Sequence, residues 1–258
     1  MKALLNYLMS ELGSELYNVT VEDARIGLVY TGVLLSSGHA GVAYTPVNEL
    51  SKCSALSCGG NIAGKSALKL VKMVLSSNFV EVAVGVATAN ALSQIVFEEN
   101  PEKYVFSNTD VLDLIKAEDK VAMVGYFAPL VPKVIQKARE LYVLEKRKIE
   151  DNRVKVVSQS EISEVLSLSN VVLISGSTLV NKTINEVLKH VTNAREIVLL
   201  GPTASMTPQP FFEKGVTAAM GIRITDPAKM LKIVSEAGGT RQLLILCAKK
   251  TAFMKGST

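Results

Sequence analysis

The chain has 258 residues, 48% apolar and 20% charged, enough to bury a substantial core and too apolar for wholesale disorder. Its net charge of +4 is mild and scattered, which excludes a surface that tracks a nucleic-acid backbone. Three cysteines, an odd number, argue against a disulfide framework and fit a reducing cytoplasm.

Leu4, Leu5, Leu8, Met9 and Leu12 fall at helical spacing, and the apolar run is interrupted too early for a secretory segment. No stretch free of polar residues approaches the length of a membrane span. A soluble protein that stays in the cytoplasm, with no membrane partner, is the expectation.

Short β-branched runs at 24–30, 33–36 and 41–45 are separated by Thr31-Gly32 and Ser37-Gly38-His39, which predicts an antiparallel meander. Residues 51–65, rich in Gly, Ser and Cys, read as a surface loop. An amphipathic helix follows at 66–76, then a helix at 79–96 that is apolar nearly all round and so should be buried. Asn100-Pro101 breaks the chain. Residues 1–105 are thus expected to form a small α+β domain.

From Lys120 the rhythm changes. Apolar runs at 121–125, 141–145, 154–157, 171–175, 197–201 and 216–220 alternate with helical spacing at 130–139, 162–168, 179–190 and 228–237. That alternation predicts βαβ units, hence a Rossmann-like parallel sheet over residues 106–258 with helices on both faces. The overall class is α/β.

In an open parallel sheet, ligands sit beyond the carboxyl ends of the strands. The first such loop, 124–130, carries Gly125 and Phe127; a single glycine allows close backbone approach but is no Gly-x-Gly-x-x-Gly fingerprint. Glu145 ends the next strand twenty residues later, where a carboxylate takes ribose hydroxyls. The pair suits a nucleoside-like or other polyhydroxyl ligand; the alternative is a tight turn and a solvated partner of Lys146 or Arg147. Ser177, Thr178 and Asn181 follow the third strand, and Gly201 and Thr203 the fourth. Ser177 or Thr178 is a natural helix N-cap, and the group as a whole offers small donors to a ligand.

In the first domain, His39 beside Gly38 is a candidate metal ligand or general base, or an exposed turn residue. His190 suits a helix C-terminus. Cys53 and Cys58 form a lone Cys-x4-Cys without the second pair of a zinc site, and Cys247 reads as core. Asn90, in the apolar helix, must be hydrogen-bonded, either bracing a loop or lining a cleft. No nucleophile elbow, Walker loop or His-Glu-x-x-His is present.

These motifs run in order as GHAGVAYTP (38–46), GVATANAL (85–92), VGYFAPL (124–130), LEKR (144–147), SGSTLVNKT (175–183), GPT (201–203) and GIRITD (221–226). In that order the chain resembles a family described as "putative heavy-metal chelation" proteins. The resemblance implies an enolase N-terminal-like domain joined to a Rossmann-like domain, with a site in the cleft between them. Carried over, that site takes Gly38, His39 and Asn90 from one side and Gly125, Glu145, Ser177, Thr178 and Asn181 from the other.

The leading expectation is a small polar or anionic ligand, a heavy metal or metal chelate included, held in that cleft. One alternative is an enzyme using a nucleoside cofactor, S-adenosylmethionine or a nicotinamide dinucleotide, at the Gly125/Glu145 edge. The other is a non-catalytic scaffold or homo-oligomer.

Overall fold

The structure is a computed structural model that describes residues 1–50 and 55–256, so Cys53 lies outside the described residues. Helix α1 (Lys2–Leu12) buries Leu4, Leu5, Leu8 and Leu12 along one stripe. Strands β1 (Val21–Ile26), β2 (Tyr30–Leu35) and β3 (Ala40–Tyr44) form the expected antiparallel meander. Its first turn is displaced. Thr31-Gly32 lies inside β2, and the chain reverses at 27–29, where Gly27 N–H donates to the Tyr30 carbonyl. Gly32 is there for packing: a Cβ would lie 2.7 Å from Met230 Sδ of a later helix.

Helix α2 (Ala67–Val71) tightens into a 3₁₀ turn ending at Leu75. Helix α3 (Phe79–Glu99) starts at Asn78, whose side chain accepts from Val80 N–H at 2.9 Å. Every residue from 82 to 97 is buried. Its polar members do not break the helix, because Thr88 and Ser93 donate back to the carbonyls of Val84 and Ala89. By length and composition α3 could cross a membrane, yet 89% of its most apolar stretch is enclosed by the protein.

The second sheet contains β4 (Lys120–Val124), β5 (Glu140–Leu144), β6 (Lys155–Val156), β7 (Val171–Ser175), β8 (Glu196–Leu200), β9 (Ala218–Ile224) and β10 (Ala248–Met254). Their order is β10-β9-β8-β7-β4-β5-β6, parallel throughout except for β10. The helices are α4 (Val131–Lys137), α5 (Ile162–Leu168), α6 (Ser177–Val180), α7 (Ile184–His190), α8 (Gln209–Phe212), α9 (Pro227–Ser235) and α10 (Thr240–Leu246).

Two features depart from the sequence reading. The helix expected over 179–190 is split into α6 and α7: Lys182 adopts φ 62°, and Asn181 Oδ1 accepts both the amide and the hydroxyl of Thr183. The closing antiparallel strand β10 was not anticipated. It seats Phe253 against Phe97 and Phe106, each at a centroid distance of 4.8 Å.

From β4 the chain steps outward to β5 and β6, then returns on the other side of β4 as β7. The strand order therefore reverses between β4 and β7, where a parallel sheet opens a crevice. One apolar core joins the two sheets: Leu92 and Val96 of α3 belong to the same cluster as Ile174 and Leu199.

Candidate ligand-binding site

The residues singled out from sequence lie along the row of strand ends, but not in one hollow. Toward β8, the contact is filled. A Cβ at Gly41 would fall 2.5 Å from Ala91 N and 2.8 Å from Asn90 Cβ, so only glycine lets β3 rest on α3. Asn90, fully buried, donates its amide to Val42 O at 2.7 Å and Thr203 O at 3.1 Å. Thr203 Oγ1 in turn accepts from Tyr44 N–H at 2.9 Å, and Ser93 Oγ accepts from Thr207 N–H at 3.0 Å. Thr178 is buried and donates to Ser175 O. Asn90, Thr203 and the Ser93–Thr207 bond thus fasten β3 and α3 to the segment after β8, while the bond of Thr178 stays within its own turn. Asn90 braces.

His39 lies at the β2–β3 turn, beyond Gly38 (φ 82°). Both ring nitrogens are engaged at 3.0 Å, Nδ1 with Ser37 Oγ and Nε2 with Glu98 Oε2; Glu98 also accepts from Arg223 of β9 at 2.8 Å. This clasp sits by β9, four strands from Glu145 and so about 19 Å away at ~4.8 Å per strand. His39 and Glu145 do not share a site.

At the β4/β7 switch, Gly125 has φ 94°, and a Cβ there would lie 2.8 Å from Ser175 Cβ. The two strand ends approach closely because one residue lacks a side chain. Ser175 Oγ accepts from Ser177 N–H at 3.2 Å and from Ser177 Oγ at 2.9 Å. The N-cap position of α6 is Gly176, not Ser177 or Thr178, and Ser175 supplies the oxygen that accepts from the first helical amide. Gly201 (φ 111°) faces open space. Phe127 packs on the cluster containing Val131 and Val143, and Asn181 is turned to Thr183, so neither lines the crevice.

The open space lies at the ends of β4 and β5. A cavity of about 290 Å³ is lined by Tyr126, Glu145, Arg147, Lys148, Ile149 and Glu150. Glu145 Oε2 accepts from Tyr126 N–H at 3.3 Å and an Arg147 Nη at 3.2 Å, and Oε1 accepts from Arg147 N–H at 3.1 Å. Burial pushes this carboxyl up, but the Arg147 guanidinium and the two amides outweigh it and hold the group below the usual carboxylate range. Tyr44, at the end of β3, and Glu49 lie close enough to Arg147 to interact with it electrostatically. The Tyr44 phenol is pushed up by burial and then by the charge of Glu49, and Arg147 is held positive by its bond to Glu145 first and by the charge of Glu49 further away.

Tyr126 was overlooked in the sequence, though it sits within VGYFAPL; the backbone position directly after a strand-end glycine was its signal. Arg147 was read only as a solvated partner of Glu145.

The donors do not fit a bare heavy-metal ion. Such an ion prefers thiolate and imidazole, and among the described residues no three of His, Cys, Asp and Glu gather into a metal-holding group. His39 has both nitrogens occupied, and His190 Nδ1 meets Ser163 Oγ at 3.0 Å. Burial pushes the Cys247 thiol up to about 11, and Cys58 is half-buried and free. What the cavity offers is oxygen donors beside Arg147 and Lys148.

Comparison with known proteins follows this architecture. Residues 110–253 match a family described as "Putative heavy-metal chelation", and residues 9–93 match a second family of the same description. An uncharacterized protein of Methanocaldococcus jannaschii is 30% identical over 223 residues, 82% of this chain and 81% of that one. A Pyrococcus horikoshii protein of unknown function has the same fold, with a TM-score of 0.80 at 24% identity over 98% of each chain. A Desulfitobacterium hafniense protein of unknown function superposes with a TM-score of 0.76 at 20% identity over 99% of each. The chain belongs to the family described as putative heavy-metal chelation proteins.

Proposed function

We propose that the chain binds a small, oxygen-rich anion in the cavity at the ends of β4 and β5. A metal is taken only when already wrapped in such an anion. The observation that carries this reading is Arg147. A guanidinium has five N–H donors, and among the described residues this one spends only one of them, on Glu145. Its remaining donors, beside Lys148, suit a carboxylate or phosphate held through two bonds. Glu145 is fixed as an anion and accepts from ligand hydroxyls. A metal carried as its citrate complex would satisfy both residues without any soft donor from the protein. We place this activity in the cytoplasm, where the free thiols stay reduced.

One observation favours a nucleoside ligand as a second reading. The order β6-β5-β4-β7-β8-β9 is the dinucleotide-binding order, and Glu145 occupies the ribose-acid position at the end of its second strand.

Calorimetric titration separates these readings. Citrate and ferric citrate should bind with one-to-one stoichiometry, and Arg147→Ala should weaken binding at least tenfold, about 1.4 kcal/mol. Binding of ATP, S-adenosylmethionine or NAD⁺, with citrate inert, would favour the second reading. Zinc or cadmium chloride binding alone, untouched by Arg147→Ala, would defeat both.

A further inference from the structure

We infer that Tyr126 is the positioning residue of this cavity, strapping both ends of the loop 145–151 to the mouth of β4. The loop leaves β5 at Glu145, which accepts from Tyr126 N–H at 3.3 Å. It closes at Asp151, whose Oδ2 accepts from the Tyr126 hydroxyl at 2.7 Å. Asp151 is itself immobilised. Arg153 donates to it through Nε and Nη2, each at 2.8 Å, and through its backbone amide at 3.0 Å. Those donors from Arg153 and then Tyr126 hold the Asp151 carboxyl far below its ordinary range, so it is an anion throughout the neutral range.

One residue therefore holds the loop at both ends, by its backbone amide at Glu145 and its hydroxyl at Asp151, while Tyr126 also lines the space enclosed. Among the described residues, the loop's other ties are the two bonds of Arg147 to Glu145, both internal to it, and two weaker contacts. The Lys148–Glu150 pair is 85% and 80% exposed, and such pairs contribute almost nothing. Ile149 packs, partly buried, against the cluster containing Val131 and Val143. Tyr126 Oη is the donor whose release lets the outer wall swing open.

That inference rests on the proposed function only for what the loop encloses; the strap itself is testable without ligand. Trypsin has three sites in the loop, after Lys146, Arg147 and Lys148, all exposed. Opening before cleavage makes the cutting rate report the open population. Tyr126→Phe keeps the ring and removes the hydroxyl. Loss of a hydrogen bond to a charged group should raise cutting in this loop roughly tenfold, with the melting temperature and cleavage elsewhere little changed.

Asp151→Asn should act in the same direction, and the double variant should be cut no faster than the faster single one, since both remove the same bond. Wild-type cutting rates in both single variants, or additive effects in the double one, would overturn the strap. Should Tyr126→Phe melt early, Asp151→Asn carries the measurement alone. Failure of citrate to bind while Tyr126→Phe opens the loop defeats the proposed function and leaves the strap standing. A loop that stays shut beside normal binding does the reverse.

Discussion

Asn90 spends its amide on carbonyls from two different segments, so removing it strands both acceptors inside the protein. Asn90→Ala should lower the unfolding free energy by about 2–4 kcal/mol in equilibrium denaturation. Two glycines of one motif should respond differently to alanine. At Gly41 the new methyl meets the backbone of α3, which cannot yield, so Gly41→Ala should abolish or severely reduce soluble expression. At Gly38 there is open space and only the positive φ to oppose it, so Gly38→Ala should cost about 1 kcal/mol. The sequence could not separate them: Gly41 opens a strand run and Gly38 a turn, but neither pattern says which glycine a neighbouring helix touches. Cys247, by contrast, was legible as core. Its buried thiol, raised to about 11, should ignore a thiol reagent at pH 8 until the protein unfolds, as peptide mass mapping would report.

At the scale of elements, strand periodicity was easily read because buried parallel strands are continuous aliphatic runs. The break between α6 and α7 was hidden, since Leu179 and Val180 continue the apolar spacing while the interruption is made by Lys182 and by hydrogen bonds of Asn181. The opposite, amino-terminal edge of the sheet is pinned by Asp119, only 1% exposed, which accepts from Arg195 at 2.9 and 3.1 Å and from Lys116 N–H at 2.7 Å. Burial alone would raise this carboxyl; the Arg195 bonds and the amide outweigh burial and lower it. Its folded pKa thus lies below the unfolded value of about 3.9, so its stabilisation is present above that value and lost as pH falls through the folded one. Asp119→Asn should accordingly flatten the acid limb of a stability–pH curve below about pH 4. At pH 7, Arg195→Ala should cost about 2–3 kcal/mol, less than a fully buried pair because Arg195 is 37% exposed.

For the whole molecule, the sequence located the edge of the sheet where chemistry belongs, because strand ends follow from the βαβ rhythm. It could not tell how that edge is divided. The Asn90 amide and Thr203 are engaged in a joint with β3, His39 in a clasp by β9, and the cavity described here lies at the β4–β5 end. By the proposed function, the ligand belongs at the β4–β5 end and not at the His39 clasp. Backbone-amide NMR during a citrate titration tests it most directly. Shifts should concentrate at Gly125, Tyr126, Glu145 and Arg147 and vanish in Arg147→Ala. Shifts centred on His39, Glu98 and Arg223 instead, with residues 125–150 silent, would contradict it.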